Sequence, residues 1–237
     1  SMSNGKYFYQ QIWPVSTGYP LIRIGGTNDG SYLVPDALSG IELCCPPGTC
    51  GCIEFERHIG ETYGIPSLLC DPGEDAPEGL PPYMNFDRAT LASSDGENQF
   101  TLSGWLKRHG REHSNPLLLS MDIEGAELDV INSLSDAELT SIRIATIEFH
   151  YLNIFHSNTQ HEYTQAVYKT IARMKKFFDI VHLKPNNNCP FLVEINGNQY
   201  TLYTCIELTF LNKVMRRIAP EPITPSQLPN RLDLPNV

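Results

Sequence analysis

The sequence predicts an α/β fold: a mainly parallel, doubly wound sheet with helices on both faces. Short apolar runs alternate along the chain with segments of helical spacing, the pattern of strands joined by crossover helices. Each run stops at a polar or glycine-containing cluster. The chain has 237 residues, 41% hydrophobic and 19% charged, which suits one globular domain with a sizeable core. The expected division is a single domain over 1–237, with an N-terminal segment at 1–39, the α/β core at 40–211 and a C-terminal tail at 212–237.

The elements follow in order. Ser1-Met2 reads as a cloning remnant. Tyr7 to Trp13 is aromatic-rich and suits a short helix or cap. Two apolar runs, Leu21–Ile24 and Tyr32–Pro35, surround Asn28-Asp29-Gly30, a strong turn signal, and predict a hairpin or structured loop. Gly40–Cys45 is a strand candidate, and Pro46–Gly51 is the turn after it. Ile53, Phe55, Glu56, Ile59 and Tyr63 have helical spacing, with Gly64 placed as a C-cap. Pro66–Cys70 reads as a buried strand that stops at Asp71-Pro72-Gly73, before a Pro-rich acidic loop. Tyr83–Phe86 is a third strand, Ser93–Asn98 a loop, and Thr101 or Ser103 the N-cap of the next helix. Leu117–Met121 is a strand ending at Asp122, and Glu127–Leu134 is helical. Ile142–Phe149 is a strand, Tyr163–Phe178 an amphipathic helix, Phe178–Leu183 a strand, and Thr201–Leu211 the final strand.

Composition narrows the function. The formal net charge is −10, which argues against a general nucleic-acid binder, and no aromatic stacking platform is evident. No apolar run approaches the roughly 18 residues of a membrane span, and no signal peptide is visible. The seven cysteines, four of them crowded at Cys44, Cys45, Cys50 and Cys52, are odd in number. They read as reduced thiols of a cytoplasmic enzyme rather than a disulfide scaffold. Their spacing does not match paired C-x2-4-C zinc ligands.

In doubly wound sheets, ligands gather outside the carboxyl ends of the strands. The polar clusters fall there: Gly48, Asp71, Asp122, Glu148 with His150, and Asn186 to Asn188. The glycine turn at Pro46–Gly51 is followed by Asp71, 23 residues beyond Gly48, near the spacing of an acid that binds ribose hydroxyls. The full G-x-G-x-x-G fingerprint is absent, so the turn speaks for an adenosyl nucleotide in general, or for an ordinary βα turn with a strand-capping Asp. Asp122, Glu124 and Glu127 put carboxylates at the mouth of the sheet, where they suit a metal, a substrate hydroxyl or the start of a helix. Alternation puts Glu148 and His150 on one side of their strand, an acid beside an imidazole. His182, at the end of the next strand, competes with His150. His58, His109, His113, His156 and His161 read as surface residues.

Leu119-Ser120-Met121-Asp122-Ile123-Glu124-Gly125-Ala126-Glu127 resembles the K-x-D-V/I-E-G-A-E signature of FkbM-like methyltransferases. Arg23 to Asp36, Glu148 to Leu152, His182 to Cys189, Glu207 to Leu211 and Leu228 to Asn236 resemble one branch of that family, so the resemblance spans nearly the whole chain. Departures are Ser31, where the branch has a second glycine, and Thr49-Cys50-Gly51-Cys52 after the turn. The resemblance implies a Rossmann-like class I methyltransferase: a seven-stranded, mostly parallel sheet with helices on both faces and an antiparallel last strand. It implies S-adenosyl-L-methionine as donor. Pro47, Gly48 and Thr49 would line its methionine part, Asp71 the ribose, Ser94 and Asp95 the adenine, and Asp122 the methyl group.

The resulting expectation is an O-methyltransferase acting on a hydroxyl of a sugar or glycan. The acceptor is a small molecule or glycan, with no nucleic acid and no membrane span. The catalytic candidates are His150, first as base, then Asp122 and Glu148. Asp29, Tyr32, Glu124, His182 and Asn187 are the candidates for the acceptor. A divalent metal held by Asp122 and Glu148 is an alternative way to acidify the hydroxyl. Two other classes compete: a nucleotide-dependent Rossmann oxidoreductase, and a non-catalytic, degenerate methyltransferase-fold binding module.

Overall fold

The computed structural model describes residues 2–27, 30–49, 51–153, 162–188, 190–195, 197–227, 230 and 232–233. Seven strands form the main sheet: β1 Leu43–Cys45, β2 Ser67–Cys70, β3 Met84–Asp87, β4 Leu117–Met121, β5 Ile142–Phe149, β6 Phe178–Pro185 and β7 Ile206–Asn212. Their order is β3-β2-β1-β4-β5-β7-β6. All neighbours are parallel except β7, which runs antiparallel to both β5 and β6. The chain winds outward from β1 to β3, then returns to place β4 beside β1. That reversal, between β1 and β4, is the topological switch point, beside which such sheets gather their ligands.

The central strands are apolar because they are covered on both sides. All five residues of Leu117–Met121 are buried. The helices are α1 Met2–Gln11, α2 Glu54–Tyr63, α3 Leu102–Arg108, α4 Glu127–Ser133, α5 Asp136–Ser141 and α6 Glu162–Phe177. One core joins Phe8 and Ile12, Trp105, Leu128 and Ile131, and Val167 and Ile171 to Leu119, Ala145 and Phe210 of the sheet. A second joins Phe55 and Ile59 of α2 and Ile24 and Val34 of the N-terminal hairpin to Cys44, Leu118, Ile144 and Leu211. That hairpin pairs Leu21–Ile24 with Tyr32–Pro35, as the turn signal predicts.

The local stop signals act through their expected chemistry. Gly64 ends α2 at φ 69°, a left-handed conformation that glycine adopts without a Cβ penalty. Thr101 accepts a hydrogen bond from the Gly104 N–H at the start of α3. Helix α5, absent from the sequence expectation, is only six residues long, too short for periodicity to reveal. Its sequence signal is the capping box of Ser135 and Glu138.

The predicted strand Thr201–Leu211 is two strands. Asn198–Tyr203 pairs with Pro190–Ile195 as a separate hairpin, and only Ile206–Asn212 joins the sheet. Alternation continues on both sides of Thr204-Cys205, so period alone hides the corner. The backbone marks it: Leu152 donates to the Thr204 carbonyl and Asn186 to the Cys205 carbonyl, each at 2.9 Å. Strand β6 also runs two residues past the expected Leu183, to Pro185.

Alternation along the sheet face beneath the hairpin carries the transition from fold to site. On β4 this face reads Leu118, Ser120, Asp122. On β5 it reads Ile144, Thr146, Glu148, His150. On β7, in the opposite chain direction, it reads Leu211, Thr209, Glu207. Each row passes from apolar to polar toward the switch-point edge. Thr146 donates to Ser120 at 2.8 Å and Thr209 to the Leu33 carbonyl at 2.9 Å, which satisfies the buried hydroxyls halfway along.

Candidate active site

His150 is the centre of the polar edge. Its side chain is 7% exposed and four carboxylates converge on it. Nδ1 lies 3.0 Å from Glu127, while Nε2 lies 3.3 Å from Asp122, 3.5 Å from Glu148 and 3.6 Å from Glu124. The Glu127 contact is close but off-axis, so Nδ1 makes no aligned hydrogen bond. Burial alone would lower the imidazolium pKa. The Asp122 and Glu127 carboxylates outweigh it and raise His150 to about 11.

The partners divide the charge. Burial opposes ionisation of Asp122, but His150 and Glu148 hydrogen bonding overcomes it and holds its pKa low. Burial and the neighbouring Asp122 push Glu148 up to about 8. These directions favour an imidazolium at His150 and an ionised Asp122, with the proton of the carboxyl pair on Glu148. Exposure separates them too: Asp122 is 28% exposed, against 7% for Glu148. Asp122 is the member of this trio that a ligand can reach.

Surrounding residues hold the cluster. Glu127, nominally a helix-start charge, is 1% exposed and accepts from the Ile123 and Gly125 N–H groups at 3.0 Å. Asn186 donates to Glu148 at 2.6 Å, and Tyr163 donates to the His150 carbonyl at 2.5 Å. Glu207 sits directly across from Glu148 in register, and Lys184 lies 3.9 Å from Glu207. Tyr32 reaches the same group from the hairpin: burial first, then Glu207 and Asp122, push its phenol pKa well up. Sequence reasoning put Glu127 and Asn186 among the strand-end clusters but gave them no site role, and it missed Glu207 and Tyr163. Alternation could have flagged Glu207; the others depend on tertiary approach.

The glycine turn lies next to this cluster. Gly48 and Thr49 donate to the Cys70 carbonyl, and Asp122 donates to the Pro47 carbonyl at 3.3 Å. Gly48 has φ 84°, and a Cβ there would come within 1.7 Å of the Asp122 carbonyl oxygen. Only glycine fits, so the turn is pinned against the end of β4. Asp71, buried at the end of β2, accepts from the Gly73 and Glu74 N–H groups at 2.9 and 3.1 Å. Ser94 and Asp95 are exposed in the loop before α3, where Asp95 accepts from the Thr101 N–H at 2.9 Å. A glycine turn, a buried acid at the end of β2 and a polar loop beyond β3 suit the three parts of an adenosyl donor.

Other candidates fall elsewhere. His182 lies inside β6, not at its end, and binds Asp233 at 2.9 Å. Asn187 is exposed beside Asn186, which is the residue that reaches Glu148. Asp29, His156, His161, Cys50 and Cys189 lie outside the described residues. His58 and His109 are not simple surface groups: His58 accepts from the Gly25 N–H at 3.1 Å, and His109 lies 2.6 Å from Asp87. Cys44, Cys45, Cys70 and Cys205 are buried thiols, and burial pushes Cys45 up to about 12. They pack the core. Asp122, Glu127 and His150, or Glu148, His150 and Cys205, bring possible metal donors within 4.8 Å of one another. Glu127 spends both oxygens on backbone N–H groups, and Glu148 takes the Asn186 amide. The sets fit a cluster of ion pairs better than a ready coordination shell.

The strand order with its antiparallel β7 is that of a class I methyltransferase fold. Residues 88–180 match the family model of the methyltransferase FkbM domain. The match contains Asp122, Glu124, Glu127, Glu148 and His150. No curated protein matches the chain in sequence. Among solved structures it is similar to M. capricolum TrmK in complex with S-adenosyl-homocysteine, at 8% identity and TM-score 0.36. That likeness covers 75% of this chain, which spans 65% of the TrmK chain. It is also similar to a variant of the 16S rRNA (adenine(1408)-N(1))-methyltransferase from Catenulisporales acidiphilia, at 10% identity and TM-score 0.35, covering 81% of this chain and 98% of that one. No helix among the described residues is long and apolar enough to cross a membrane.

Proposed function

We propose that the protein is an S-adenosylmethionine-dependent O-methyltransferase acting on a hydroxyl of a sugar or glycan. The observation that carries this reading is the Asp122–His150–Glu148 cluster at the switch point, inside the stretch that matches the FkbM family. Pro47, Gly48 and Thr49 are assigned to the methionine part of the donor, Asp71 to the ribose, and Ser94 and Asp95 to the adenine. The donor supplies a methyl group already activated on a sulfonium. The protein therefore has to align the acceptor oxygen, exclude water and receive one proton.

The acceptor oxygen forms its bond to the methyl carbon as the carbon–sulfur bond breaks, and the electron pair stays on sulfur. The acceptor O–H becomes strongly acidic as that bond forms, so an ionised carboxylate suffices to take the proton. Asp122 is assigned this role because it is ionised and reachable. His150, the first choice from sequence, becomes a positioning residue: its imidazolium keeps Asp122 ionised and aimed. Glu148, protonated and buried, hydrogen-bonds Asp122 from behind.

Calorimetry with S-adenosylhomocysteine and with NAD, followed by transfer of labelled methyl to simple pyranosides, tests the reading. Binding of S-adenosylhomocysteine alone and a loss of about 100-fold or more in kcat for Asp122→Asn are expected. Binding of NAD instead, or methyl transfer to RNA and not to sugars, would overturn it. Binding of neither nucleotide would favour a non-catalytic module.

A further inference from the structure

Two non-glycine residues among those described have left-handed φ: Glu124 at 56° and Tyr151 at 59°. Such a backbone is costly for any L side chain, and a true outlier for one as bulky as tyrosine. Both lie beside His150. Glu124 is 76% exposed with Oε2 3.6 Å from His150 Nε2. Tyr151 directly follows His150 and is 58% exposed.

The tyrosine ring is held, not loose. It meets Tyr163 edge-on at 6.3 Å and lies tilted to His150 at 6.2 Å. Its edge covers Gly125, where a Cβ would come within 2.6 Å of Cε2. An aromatic surface and a carboxylate are thus presented together at the mouth of a buried ion cluster, each on a backbone the fold would otherwise avoid. Strain that persists beside such a cluster points to function rather than stability.

We propose that Tyr151 and Glu124 form the acceptor clamp, with Tyr151 taking the apolar face of a neutral pyranose ring and Glu124 accepting hydrogen bonds from adjacent ring hydroxyls. This rests on the methyltransferase reading and specifies its acceptor. A pyranose presents C–H groups on a face and hydroxyls at its edge, which matches one aromatic surface beside one carboxylate. The carboxylates of Asp122, Glu124, Glu127 and Glu207 outnumber His150 and Lys184 and disfavour a phosphate-bearing acceptor.

Saturation-transfer NMR with methyl α-glucoside, α-mannoside, α-galactoside and α-rhamnoside, in the presence of S-adenosylhomocysteine, tests the clamp. Saturation is expected at ring C–H protons of at least one pyranoside. Tyr151→Ala weakens that binding about tenfold, as loss of an aromatic anchor does, Glu124→Gln weakens it several-fold, and Tyr151→Phe retains it. The affinity for S-adenosylhomocysteine stays the same in all three, and in turnover the loss for Tyr151→Ala and Glu124→Gln falls on KM more than on kcat. If Tyr151→Ala does not fold, Glu124→Gln and Tyr151→Phe still decide the matter. The clamp alone is overturned if pyranosides bind and their affinity ignores these substitutions; the clamp and the sugar acceptor fall together, with the donor site left standing, if the donor product binds and no pyranoside does, or if an RNA oligonucleotide occupies the site instead. Failure to bind S-adenosylhomocysteine overturns the methyltransferase reading and the clamp together.

Discussion

Glu56 offers a measurement of the cost of placing charge beneath the N-terminal hairpin. It lies on α2, is 6% exposed, and its Oε2 has no hydrogen-bond partner. Burial is the first cause that raises its pKa, from 4.5 to about 7. Because the folded value lies above the unfolded one, the protein is penalised as pH rises. The penalty is absent below about 4.5, grows between 4.5 and 7, and is complete above 7. At 1.36 kcal/mol per pH unit the full penalty is about 3 kcal/mol. Glu56→Gln removes the charge with little change in shape. Urea unfolding should show it more stable than the parent by about 3 kcal/mol at pH 8 and nearly equal at pH 4. An equal effect at both pH values would refute the electrostatic account and assign the change to packing.

Four further outcomes follow from the site. Glu127→Ala removes the acceptor of two backbone N–H groups and a buried partner of His150, and should cost about 3–5 kcal/mol in urea unfolding; a loss under about 1 kcal/mol would show that the cluster does not depend on it. Gly48→Ala drives a methyl into the Asp122 carbonyl and should lower Tm sharply and abolish S-adenosylhomocysteine binding, both read by thermal shift with and without that compound. His150, held to about 11, should keep the imidazolium signal in NMR from pH 5 to pH 8.5; its contribution to stability is full below about 6.5 and declines as pH rises toward 11. Replacing Glu124 with Gly relieves the left-handed φ and should raise Tm slightly while weakening acceptor binding, a trade of stability against function.

Much of the fold was legible because β4 and β5 are long, apolar and bounded by unambiguous stops, so Leu117–Met121 and Ile142–Phe149 were placed to the residue. The last third was harder. Thr204-Cys205 carries neither glycine nor proline, and the chain turns there because Leu152 and Asn186 bind its carbonyls, contacts made by distant sequence. The site was half legible for a similar reason. Asp122, Glu148 and His150 stand at strand ends, where topology alone gathers them. Glu127 opens the helix after the Asp122 loop and looked like an ordinary helix-start charge, but the loop through Gly125 folds it back under His150. Protonation was the least accessible property. Four carboxylates around one imidazole reverse the role that an isolated His beside an acid suggests.

Strand β7 fills an interior place in the sheet, between β5 and β6, although it is the last of the seven to be synthesised. On the ribosome, β5 therefore waits with a bare hydrogen-bonding edge, and β6 waits without a neighbour, until residues 206–212 have emerged. The sheet closes by insertion rather than by addition at its rim. The nascent chain is most exposed to wrong pairing in that interval, and a chain interrupted before residue 206 would lack both Glu207 and the strand that joins β6 to the rest of the sheet.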